Sequence, residues 1–203
     1  MKEGRKMIFG VYSFVCVFLP CMVYQLICQI RNYKSGKKIR VIHLMWVYIF
    51  LLYIWMVFQV TGIGIFFEIL RKDTELFRGG INLIPFDDVG FGFVANIIMC
   101  MPLGFLLPLL WIECRKCKRT VLIGAIFSLM IEITQLFNWR ATDVDDLIAN
   151  TCGAWVGYLL WKAFTKIFGE RLKMASEVKH EALIYIFLSL LGMFFLYNPF
   201  LLF

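Results

Sequence analysis

The polar chemistry of this chain is concentrated between positions 131 and 157, which read IEITQLFNWRATDVDDLIANTCGAWVG. Glu132, Gln135, Arg140, Asp143, Asp145, Asp146 and Asn150 lie there, at the ends of two otherwise apolar stretches. An acid or base at the centre of a membrane helix costs roughly 2.5–3.5 kcal/mol, so such side chains point to function. Glu132 is the candidate general base, and Glu132 and Gln135, three residues apart, share a helix face. Asp146, Asn150, Gly153 and Gly157 run down one stripe of the next helix, where Gly153-x-x-x-Gly157 lets a neighbouring backbone approach closely. Upstream, Asn96 precedes Pro102, which frees the carbonyl of Ile98. An asparagine and a freed carbonyl facing one pocket could bind a polar group.

The acids admit a hard cation, because Mg²⁺ and Ca²⁺ prefer oxygen ligands; Asp143, Asp145 and Asp146 are the weak candidates. No other cofactor is indicated. No histidine is close, since His43 and His180 are both expected at the cytoplasmic side, and this disfavours zinc and a Ser–His hydrolase. Ser128, one turn before Glu132, is a poor nucleophile candidate, and no glycine-rich phosphate loop is present. Plainer roles exist for each residue. Asp143 suits an N-cap, with Asp145 and Asp146 favourable in the first turn behind it. Arg140 can neutralise them, and Asn96 and Asn150 can hydrogen-bond between helices. Cys114-x-x-Cys117 lacks a second pair or a histidine and is read as structural.

These side chains need elements to hold them. Of 203 residues, 61% are hydrophobic, against about half in a soluble domain. The apolar residues form six long runs: 7–30, 41–70, 93–112, 120–137, 146–168 and 182–203. An all-α, polytopic transmembrane bundle of about six spans follows, as a single domain over 1–203, because spanning segments must satisfy their own backbone and barrel alternation is absent. The second run is longer than a span needs and should break near Gly62-Ile63-Gly64. Trp46, Trp111, Trp139 and Trp161 near the run ends suit an interfacial belt. The seven cysteines behave as small hydrophobes, with no disulfide expected.

The net charge of +7 resides in short loops, as orientation signals do, and does not indicate nucleic acid. The basic loops 31–40, 113–119 and 169–181 are expected in the cytoplasm, which puts both termini and the acidic turn outside. At 1.5 Å per residue, Asn96, Glu132 and Asn150 then lie within one to two turns of the outer face, with Arg140 and the aspartates at that face.

In this order the residues resemble the VanZ-like family of bacterial membrane proteins. The likeness runs through Asn82-Leu-Ile-Pro-Phe86, Asn96-Ile-Ile-Met-Cys-Met-Pro-Leu-Gly104-Phe-Leu-Leu-Pro108 and Glu132-x-x-Gln135. It continues through Arg140-x-x-Asp143-Val-Asp-Asp146 and Asn150-Thr-Cys-Gly153-Ala-Trp-Val-Gly-Tyr158. It covers a core of about 45–165, leaving peripheral helices at 7–30 and 182–203. Cys100 departs from the phenylalanine frequent there. The resemblance implies a multi-pass protein of the bacterial cytoplasmic membrane associated with resistance to teicoplanin and other lipoglycopeptides. The partners it implies are membrane lipids and, on the outer side, the drug or a lipid-linked wall precursor.

Three functions compete. In the first, a non-enzymatic outward-facing site binds the drug or a cell-wall lipid through Asn82, Asn96, Glu132, Gln135, Arg140, Asp143, Asp145, Asp146 and Asn150. In the second, an intramembrane enzyme modifies a lipid or lipid-linked phosphate, with Glu132 as base beside an aspartate-bound cation. The third is a transporter or flippase, for which no inverted repeat is evident.

Overall fold

The computed structural model describes residues 2–34, 41–70, 80–87, 89–138, 140–169 and 175–202. The basic residues of 35–40, Asp88, Trp139 and the linker residues 170–174 lie outside this set.

The apolar runs become helices: α1 (Lys2–Lys34), α2 (Val41–Thr61), the short α3 (Phe66–Ile69), α4 (Phe91–Leu110), α5 (Cys117–Gln135), α6 (Val144–Phe168) and α7 (Glu181–Leu196). The all-α membrane class holds. The span count of six is over: among the described residues four segments are long and apolar enough to cross a membrane, 7–31, 41–69, 91–110 and 181–201. The other two long helices are α5, with Lys118, Arg119 and Glu132, and α6, diluted by Asp145, Asp146, Asn150 and Lys162. They are the pair that carries the polar residues.

The second run does break where its glycines predicted. Gly62 adopts φ +59°, and a Cβ at Gly64 would strike the carbonyl of Thr134, so α2 ends and α5 packs directly against the break. The tightest seam is α4 against α6. Cβ atoms added at Gly104, Gly153 or Gly157 would run into the backbones of Ala154, Ile97 and Met101 respectively. The small-residue stripe of α6 therefore meets α4, consistent with helices packed in hydrocarbon by close backbone approach. Three residues before Pro102 the carbonyl of Met99 accepts from Tyr53 Oη at 2.8 Å, so one carbonyl of that turn is used for packing.

The aromatic belt is thinner than expected. Trp111 is fully buried, and Trp161 is 8% exposed. The Trp111 indole donates to Glu181 Oε2 at 2.8 Å, and His43 Nε2 lies 3.4 Å from the same oxygen. A partnered indole gains nothing from the headgroup region. All seven cysteines are free.

Hydrogen bonds define two ends of the bundle. At one end the start of α1 meets the finish of α7 (Tyr12 Oη to the Leu196 carbonyl, 2.7 Å) and the start of α6 meets that of α4. At the other, Tyr158 Oη reaches the Arg115 carbonyl (2.9 Å) and His180 N reaches Glu113 Oε1 (2.8 Å). Arg115, Lys116, Lys118, Arg119, Lys166 and Lys179 lie at or near this second end.

Candidate functional site

The loop after α3 and the turn between α5 and α6 are joined by a two-residue parallel pairing of β1 (Ile81–Asn82) with β2 (Thr142–Asp143). It sets Asn82 opposite Asp143, and Asn82 Nδ2 donates to Asp143 Oδ2 at 3.3 Å. Asn82 Oδ1 accepts from Ile84 N at 3.1 Å, the local pattern by which asparagine turns a chain on its own backbone. The turn continues to Phe86, at φ +64°, whose N–H donates to Asp145 Oδ1 at 2.6 Å. Asp143 is the N-cap of α6 and accepts from Asp145 N at 2.8 Å. An oxygen there satisfies one of the helix's orphan donors, and the positive helix end favours the acids clustered on it.

Glu132, 4% exposed in the last turn of α5, reaches across to this cap. Its Oε2 accepts from Asp143 N at 3.1 Å, and its own carbonyl accepts from Thr142 Oγ1 at 3.3 Å. From α4, Asn96 Nδ2 donates to Asp146 Oδ1 at 2.5 Å. Asn82, Asn96, Glu132, Asp143, Asp145 and Asp146 thus stand together where α4, α5 and α6 meet, at the end opposite Arg115, Lys116, Lys118 and Arg119.

The remaining candidates have other bonds. Gln135 Nε2 donates to the Thr61 carbonyl at 2.9 Å, Asn138 Nδ2 to the Gly62 carbonyl at 2.8 Å, and Arg140 Nη2 to the Val60 carbonyl at 3.3 Å. Three side chains from the end of α5 and the turn after it therefore bond three successive carbonyls at the end of α2, where a helix leaves its acceptors open. A Cβ at Gly62 would stand 3.0 Å from Arg140 Nε, so the glycine makes room for the guanidinium. Asn150 sits deeper, 2% exposed, donating to Ser128 Oγ at 2.9 Å and accepting from Cys100 Sγ at 3.2 Å.

Sequence reasoning missed Asn138, which also holds the turn by accepting from Arg140 N at 2.8 Å. An asparagine just past a helix end is a turn signal, but its partner Gly62, 76 positions away, is not encoded in local spacing. It also left Ser128 and Cys100 without their shared role on either side of Asn150.

The VanZ/LLP1 family model matches residues 41–166, more than half of the chain. The chain belongs to the VanZ/LLP1 family. No curated protein and no solved structure matches it. The region shared with VanZ/LLP1 proteins runs from the start of α2 to the last turn of α6. It contains every group bonded in the site, while α1 and α7 lie outside it.

Two further features of this VanZ/LLP1 chain bear on its chemistry. Among the described residues no group of three or more His, Cys, Asp or Glu side chains could hold a metal ion. The carboxylates of Asp143, Asp145 and Asp146 accept from separate partners: Asn82, the Phe86 amide and Asn96 respectively. In the Cys114-x-x-Cys117 stretch, burial pushes the Cys114 thiol up to about 12, with the negative charge of Glu113 adding to it. A thiol so held is neutral and inert near neutral pH. Cys114 will stay unmodified by a maleimide in the folded protein at mildly alkaline pH while the part-exposed Cys117 reacts; modification of Cys114 before unfolding would contradict its structural role.

Proposed function

We propose that this VanZ-type membrane protein protects a bacterial cell against teicoplanin and related lipoglycopeptides. It does so by binding the drug or a cell-wall lipid at the acid and amide cluster around Asp143. The supporting observation is the meeting of Asn82, Asn96, Glu132, Asp143, Asp145 and Asp146 at one end of the bundle. The described basic residues Arg115, Lys116, Lys118, Arg119, Lys166 and Lys179 lie at or near the other end, and the positive-inside tendency favours the cluster facing outward from the cytoplasmic membrane. Carboxylate and amide oxygens there accept hydrogen bonds from a head group, and Asn96 and Asn82 position two of the acids. Gln135, Asn138, Arg140 and Asn150 serve as supports, fixing α2 and the α4–α5–α6 junction beneath the site.

The test is replacement of Glu132, Arg140 and Asp146 together by Gln, Gln and Asn, with membrane insertion and lipoglycopeptide susceptibility read in the same cells. Inserted protein that no longer protects is the expected result. Protection equal to that of the unaltered chain would end this reading.

A further inference from the structure

Alongside the polar cluster, a groove of about 450 Å³ runs between α5 and α6. Leu122, Ala125, Ile126 and Leu129 line it from α5; Leu147, Ile148 and Cys152 line it from α6. Thr151 also borders it, but its hydroxyl is turned back onto the Leu147 carbonyl at 2.7 Å, so that side chain offers the groove no free donor. From Leu122 to Leu129 the groove extends about 10 Å at helical rise. Its upper end lies within one turn of the cluster, because Leu129 is three residues before Glu132 and Leu147 follows Asp146. Behind it the seam is closed: Asn150 bonds Ser128 across the two helices, and a Cβ at Gly124 would strike the Ala154 side chain.

The occupant is constrained by what the walls lack. In hydrocarbon, helices associate through small residues and shared polar groups rather than through apolarity. The glycines of α6 are already used against α4, and the groove walls are mostly branched aliphatic side chains. Ala125, Thr151 and Cys152 are its small residues, but at about 450 Å³ over about 10 Å of length the groove is narrower than a helix with its side chains, about 10–12 Å across, whereas one flexible hydrocarbon chain fits it. Such a chain gains little by leaving equally apolar lipid, so its retention depends on its head. The groups at the head of the groove are acceptors: Glu132, Asp143 and Asp146 are carboxylates, and Arg140 is directed to the end of α2.

We propose that the α5–α6 groove holds one hydrocarbon chain of a membrane amphiphile whose donor-rich head, bearing hydroxyl or amine groups, lies on the Glu132–Asp146 end. This rests on reading that end as a head-group site.

The test uses the full chain in vesicles of phosphatidylethanolamine and phosphatidylglycerol containing a phosphatidylethanolamine with a diazirine in one acyl chain. Adducts are mapped by mass spectrometry after irradiation. The expected result is adducts at 122–129 and 147–152 enriched roughly five-fold over Leu159 and Leu160, which are exposed on the same helix outside the groove. Filling the groove by Ala125→Phe, or from its exposed edge by Cys152→Trp, lowers the groove adducts by a similar factor, at unchanged thermal midpoint in at least one of the two. Adducts spread evenly over both regions, or undiminished in a folded filled variant, overturn the proposal. Even labelling beside a Glu132→Gln variant that loses drug protection removes the groove and leaves the head-group site. Concentrated labelling in a protein that gives no drug protection removes the drug and leaves the amphiphile.

Discussion

Gly157→Leu is expected to prevent accumulation of folded protein in the membrane. A side chain at this position meets the Met101 carbonyl, and its Cβ alone would stand 3.0 Å from the Gly104 Cα. Both obstacles are backbone, and neither can swing aside as a long side chain can. Overpacking a well-filled interior costs about 1–3 kcal/mol, and a backbone clash on the seam that joins α4 to α6 belongs at or above the top of that range. Gly104 and Gly153 meet the partner backbone within the same seam, so a shift that relieves one contact disturbs the others. Since Asn96 on α4 and Asp146 on α6 are bonded above this seam, the polar cluster should come apart with it. The comparison is Gly92→Leu, at a helical position with open space around it. Its effect should stay within about 0.5 kcal/mol. Inserted yield and thermal midpoint of the two variants decide the matter; equal behaviour would mean that the seam is looser than described.

Glu132→Gln is expected to leave the fold intact and to abolish drug protection. Glutamine keeps the length of the side chain and an oxygen able to accept from Asp143 N, so the bond that joins α5 to the cap of α6 survives. The change in stability should stay within about 1 kcal/mol. What disappears is the carboxylate, and with it the charge-assisted bonds to a donor head group, which are about twice as strong as neutral ones. A fall in protection of about ten-fold or more in normally inserted protein is the expected outcome. Glu132→Leu separates the two roles from the other side: it strands the part-buried Asp143 amide, at a cost of about 1 kcal/mol or more in stability. If Glu132→Gln protects as well as the parent chain while Glu132→Leu destabilises it, Glu132 is a structural bond and nothing more.

Much of this architecture was legible in the residue pattern because its causes are local. The apolar runs become helices, the break at Gly62–Gly64 follows from two glycines in an overlong run, and Asp143 caps α6 as its place before an apolar stretch suggests. The glycine stripe was legible as a surface of close approach. That α4 is its partner was not, since nothing in the spacing names a neighbour. The β1–β2 pairing was equally hidden: two residues in each loop are too few for a periodic signal, and their register depends on where α3, α5 and α6 bring the chain. Gln135 and Arg140 show the limit most plainly. Their polarity in an apolar setting marked them for chemistry, yet the open carbonyls of Val60 and Thr61, at the end of a different helix, take their bonds. Trp111 misled for the same reason, because its place at a run end resembled a headgroup anchor while its indole had a buried partner in Glu181. Span counting failed on α5 and α6 because the residues that build the site are the ones that lower the apolarity of the helices carrying it.

The central claim is that the acid and amide end of the bundle faces outward and receives a head group there. Its most direct test is the labelling of Leu83→Cys, in the exposed loop beside Asn82, by a membrane-impermeant maleimide on intact cells. Lys166→Cys, exposed on the last turns of α6 toward the opposite end, serves as the comparison. Position 83 should react from outside and more slowly once teicoplanin is added, and position 166 only after the cells are opened. Reaction at position 166 in intact cells, with position 83 silent until lysis, would contradict the account.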